Sequence, residues 1–84
     1  MLYYLLQYRS LTYAQRAAAA LERAGISAHM LRSPKSTAGE GCSHSVKISQ
    51  RSLAEALRIL YRVGASPRKI FITEGDGSYR EVTL

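Results

Sequence analysis

The second half of this chain repeats the first at an offset of 39 residues: Ala17 falls on Ala56, Ala18 on Leu57, Leu21 on Leu60, and Gly25 on Gly64. Each half reads as strand, helix, strand. Two such β-α-β units in series predict a split βαβ arrangement, the ferredoxin-like α+β sandwich, in which two helices cover one face of a four-stranded antiparallel sheet. Right-handed crossovers put the first and third strands in its centre. With 84 residues the chain can build one core but not two, so residues 1–84 are expected to form a single domain.

The local signals fit that layout. Leu2 to Tyr8 is a short apolar run, as a strand buried on both faces requires. Thr12, with Gln15 three residues on, has the spacing of a capping box; Ala14, Ala17, Ala18, Leu21 and Ala24 then recur on one helical face, and Gly25 supplies the C′ glycine. Ile26, Ala28 and Met30 alternate with Ser27 and His29 in a second strand that stops near Pro34. His44, Val46 and Ile48 mark a third strand whose helix-facing parity includes His44. Ser49 is placed to cap a helix carrying Leu53, Ala56, Leu57, Leu60 and Val63, and Gly64 ends it. Lys69 to Thr73 forms the fourth strand, and Gly75-Asp76-Gly77 can turn it into an extra C-terminal edge strand from Ser78 to Thr83.

The net charge of +6 invites an anionic partner, but many of the arginines (Arg9, Arg16, Arg23, Arg51, Arg58, Arg62) recur at the spacing of solvated helical faces. The third strand also offers serine and lysine where an RNA-recognition sheet needs stacking aromatics. Nucleic-acid binding is therefore the least favoured function class. The opening MLYYLLQY has no basic n-region and meets Gln7 and Arg9 too soon for a signal sequence or a membrane span. One cysteine makes no internal disulfide and no C-x-x-C zinc pair, which points to a reducing, cytoplasmic setting. Cys42, His44 and His29 together do not make a convincing metal site, because Cys-x-His supplies only two ligands. No motif calls for a cofactor, and no acid pair, serine-histidine-acid order or phosphate-binding glycine signature marks an enzyme.

The one unusual stretch is the loop from Pro34 to Ser43, about ten residues and long by the standard of compact domains. It ends in Gly39-Glu40-Gly41-Cys42-Ser43, directly before the third strand. Gly39 and Gly41 can take positive φ and turn backbone N–H groups toward an anion, while Lys35, Arg32, Lys47 and His44 are near enough in sequence to add positive potential. Both effects favour a thiolate, the form of cysteine that attacks and accepts transferred groups. Cys42 is thus the candidate reactive residue. His44 is its candidate proton relay, and Gly39, Gly41, Ser43 and Lys35 would surround the bound anion. The alternative leaves Cys42 a small incidental side chain and His44 a satisfied strand-end residue.

The order of elements, a helix ending in Leu21-Glu22-Arg23-Ala24-Gly25-Ile26, a strand running into Pro34 and a small-residue loop with one cysteine resemble the selenium/sulfur carrier protein-like family of small domains. The resemblance runs from about Tyr3 to Thr73. In that family the loop typically ends in Cys-Gly before an apolar strand; Cys42 falls on the cysteine, Ser43 stands in place of the glycine, and His44 follows. The resemblance implies a carrier or accessory protein rather than a stand-alone enzyme, with sulfur or selenium held on Cys42 as a persulfide or perselenide between donor and acceptor proteins. The competing expectation is a non-catalytic ferredoxin-like interaction module. It would form a homodimer through the uncovered sheet face, where tyrosine, leucine and Phe71 side chains would lie exposed.

Overall fold

The computed structural model describes residues 2–33, 44–73 and 78–82. Strand β1 (Tyr3–Tyr8) leads into helix α1 (Leu11–Arg23), then β2 (His29–Arg32) and β3 (His44–Ser49). A 3-10 turn (Gln50–Ser52) precedes helix α2 (Leu53–Arg62), which is followed by β4 (Lys69–Thr73) and β5 (Tyr79–Glu81). The sheet order is β2-β3-β1-β4-β5 with every pair antiparallel. This is the ferredoxin-like α+β sandwich, with β1 and β3 central and β5 widening the sheet beyond β4. The expected loop of Pro34 to Ser43, and with it Lys35, Gly39, Gly41, Cys42 and Ser43, lies outside the described residues, as does the Gly75-Asp76-Gly77 turn.

The repeat seen in the sequence is a repeated helix ending. At the close of α1 the Gly25 N–H donates to the Glu22 carbonyl (3.0 Å) and the Ile26 N–H to the Leu21 carbonyl (2.9 Å). At the close of α2 the Gly64 N–H donates to the Tyr61 carbonyl (3.2 Å) and the Ala65 N–H to the Leu60 carbonyl (2.9 Å). Both are Schellman motifs, and both need a left-handed residue, supplied by Gly25 at φ +82° and Gly64 at φ +73°. The apolar pairs that accompany them, Leu21 with Ile26 and Leu60 with Ala65, are buried in the same core.

That core lies between the helices and the even-numbered side chains of the central strands: Leu6, Tyr8, Val46 and Ile48 meet Ala14, Ala17, Leu21, Ala56 and Leu60. The alanines let α1 approach the sheet closely, and each fully buried leucine stabilises the fold by about 1.5–3 kcal/mol.

Three local expectations are corrected. The cap of α1 is Ser10, whose hydroxyl accepts from the Tyr13 N–H at 3.1 Å, so the helix starts one residue before Thr12 and exposes it; Ala24 is an exposed C-cap, not part of the buried face. Strand β2 spans only His29–Arg32: Ile26 and Ala28 are buried as the chain leaves the Schellman turn, without strand pairing, and Met30 is exposed. Ser49 caps the short 3-10 turn rather than α2 and makes no side-chain capping bond.

The helix-free face of the sheet also differs from expectation. Leu5 is fully buried there and Phe71 is 8% exposed. Leu5 lies between Lys47 and Phe71 across the strands, and β5 places Glu81 beside Phe71, which is therefore not on a sheet edge. The Lys47 ammonium sits 4.4 Å from the centroid of the Tyr3 ring, so the lysine stem runs over this face.

Candidate functional site

Antiparallel pairing gathers one end of several elements into one place. Tyr8, the last residue of β1, is the register partner of His44, the first of β3, and His44 in turn pairs with Arg32, the last of β2. At the same end, β4 begins with Lys69 opposite Gln7, and the Arg68 N–H donates to the Gln7 carbonyl at 2.8 Å. Arg9 follows β1 directly. Four cations, Arg9, Arg32, Arg68 and Lys69, therefore share the end of the sheet at which the segment 34–43 leaves β2 and enters β3. Helix α1 begins here and α2 ends here, so Glu22 in the last turn of α1 and Glu55 in the first turn of α2 belong to the opposite end. Cations outnumber carboxylates among the described residues at this end, an excess that favours the charged form of a group ionising to an anion.

The two arms of the segment are tied at its root. The Ser33 and Ser45 hydroxyls lie 2.8 Å apart in a hydrogen bond, and Ser45 is fully buried. His44 is half-buried and shares the parity of Val46 and Ile48 toward the helix layer. Beside it, Tyr8 is nearly buried, and its hydroxyl donates to the Ala65 carbonyl at 2.6 Å. Burial pushes the Tyr8 phenol well above its ordinary range, so it stays protonated as a donor.

Of the residues singled out in the sequence, Arg32 and His44 are brought together at this end. Lys47 is not, since its ammonium is engaged over Tyr3 further along the sheet. Cys42, Gly39, Gly41, Ser43 and Lys35 lie outside the described residues. Sequence reasoning missed Arg9, Arg68 and Lys69, assigning Arg9 to a solvated helical face. The usable signal was position: Arg9 directly follows one central strand and Arg68-Lys69 leads into its antiparallel neighbour, which puts all three at one end once the strand order is known.

Above Tyr8 the space between the start of α1 and the end of α2 forms a groove of about 480 Å³ lined by Arg9, Tyr13, Tyr61, Ser66 and Arg68. Among the described residues, no three of histidine, cysteine, aspartate and glutamate come together as a metal site. No described helix is long and apolar enough to cross a membrane. No curated protein and no solved structure matches the chain significantly. A family model does, over residues 3–72, nearly the whole length: the chain belongs to the family described as "Putative Se/S carrier protein-like".

Proposed function

We propose that the protein carries sulfur or selenium on Cys42, as a persulfide or perselenide, between a donor protein and an acceptor enzyme. The observation that carries this reading is the family membership over residues 3–72, in a chain whose one cysteine stands two residues before His44 at the basic end of the sheet. The positive field of Arg9, Arg32, Arg68 and Lys69 supports a thiolate there.

The transfer balances without an added oxidant. The Cys42 thiolate attacks the terminal sulfur of a donor persulfide, a new S–S bond forms, and the donor's own S–S bond breaks to release the donor thiolate. Delivery is the same exchange in reverse: an acceptor nucleophile takes the terminal atom, and the Cys42 thiolate leaves. A low Cys42 thiol pKa, which the basic surroundings favour, raises the thiolate fraction that attacks in loading and makes Cys42 the better leaving group in delivery. His44, with Lys35, Gly39, Gly41 and Ser43, would support the charged terminal atom, and a lone cysteine with this chemistry suits the reducing cytoplasm. No resident cofactor enters either step.

For the dimerisation alternative, Leu5 and Phe71 are buried, whereas Tyr3 and Tyr79 on the same helix-free face are only half-buried. The test is cyanolysis after incubation with a small-molecule persulfide and removal of excess reagent. Wild type should release close to one equivalent of thiocyanate per chain and Cys42→Ser almost none. Equal release from both would refute the assignment.

A further inference from the structure

We infer that the groove between α1 and α2 docks an acidic segment of the transfer partner, anchored by an aromatic side chain. The partner's identity rests on the carrier reading, whereas the contact rests on the groove. Two of the exposed large hydrophobic side chains among the described residues line it: Tyr13 in the first turn of α1 and Tyr61 near the end of α2. Tyr61 is 81% exposed and Tyr13 49%, so neither is held there by the core. Tyrosine and arginine are the residue types that dominate binding energy at protein interfaces. The groove supplies both, with Arg9 and Arg68 in its lining and the Arg16 guanidinium 5.3 Å from the centroid of the Tyr13 ring.

Charge selects the occupant. The described lining holds two arginines and no carboxylate, while Glu22 and Glu55 sit at the far ends of their helices. A segment with glutamates or aspartates around one aromatic residue complements both features. A nucleic acid fits less well: a groove of about 480 Å³ suits an anchoring side chain better than a tract of stacked bases. Position links the groove to transfer, because Tyr8 at its base is the strand partner of His44. A partner held here is oriented toward the end of the sheet from which the Cys42 segment emerges.

The test uses the full chain and a short synthetic peptide of glutamates around one phenylalanine, with a lysine-for-glutamate peptide and an oligouridylate as comparisons. Saturable binding of the acidic peptide is expected, with amide shifts at Tyr13, Tyr61, Gly64 and Arg68 and clear weakening by added salt. Tyr61→Ala and Arg68→Glu should each weaken it about tenfold, and Cys42→Ser should leave it unchanged. No saturable binding, shifts confined to other residues, or tighter oligouridylate binding at these residues would overturn the inference. Cys42 loading and peptide binding, both measured on wild type, separate the two claims. Loading without peptide binding in wild type removes the groove inference alone, and peptide binding without loading supports the groove while removing the carrier reading.

Discussion

The hydroxyl of Tyr8 donates a 2.6 Å hydrogen bond to the carbonyl oxygen of Ala65, 57 residues away, and so joins the end of β1 to the turn that closes α2. The bond is buried, and Ala65 is the residue whose N–H completes the second Schellman motif. It fixes the base of the groove and the strand end opposite His44. Tyr8→Phe keeps the ring but strands a buried carbonyl, and should destabilise the fold by about 1–2 kcal/mol, read as a lower urea midpoint with an unchanged slope.

Tyr8 also sets an alkaline limit. Burial raises its phenol above the ordinary value of 10.0, so above that pH the unfolded chain releases the proton while the folded chain retains it. Because the folded state then binds more protons, stability is fully present below about pH 10 and falls as pH rises beyond it. Urea midpoints at about pH 9 and pH 11 should diverge more for wild type than for Tyr8→Phe. An equal alkaline loss in both proteins would remove Tyr8 as its source.

Gly25 and Gly64 are required for their backbone conformation, not for space. A Cβ at either position meets nothing within 4 Å, yet φ is +82° and +73°. Gly25→Ala and Gly64→Ala should each cost about 1–2 kcal/mol, and asparagine at the same positions should cost less, because it tolerates the left-handed region. Thermal or urea unfolding of the four variants checks the order.

The basic end makes a prediction for the thiol. Arg32 is the strand partner of His44 and so stands at the root of the segment carrying Cys42. Charge reversal in Arg32→Glu should raise the Cys42 thiol pKa, seen as a shift of the alkylation-rate profile to higher pH, while Arg23→Glu at the far end of α1 leaves it unmoved. Equal profiles for Arg32→Glu and wild type would show that the thiol does not sense the field of the strand ends.

Much of the fold was legible because it is written in local signals. The offset of 39 residues encoded two identical helix endings, and a left-handed glycine followed by a buried apolar residue is readable from Gly25-Ile26 and Gly64-Ala65 alone. Strand parity was equally readable, since Val46 and Ile48 had to face the helices. The cap of α1 was misread because Thr12 and Gln15 match a capping box as text, whereas the hydroxyl that accepts a hydrogen bond belongs to Ser10. The basic end was not legible in any window of sequence: Arg9, Arg32 and Arg68-Lys69 are separated by dozens of residues, and only the antiparallel order of β2, β3, β1 and β4 brings them together. The burial of Leu5 and Phe71 on the helix-free face escaped as well, because strand parity says which face a side chain takes but not whether that face is covered.

The most direct test of the carrier account is intact-mass spectrometry of the protein after incubation with a persulfide or selenium donor in the absence of reductant. The account predicts a single added sulfur or selenium atom on wild type, removed by dithiothreitol and absent from Cys42→Ser. No adduct on wild type, or the same adduct on Cys42→Ser, would contradict it.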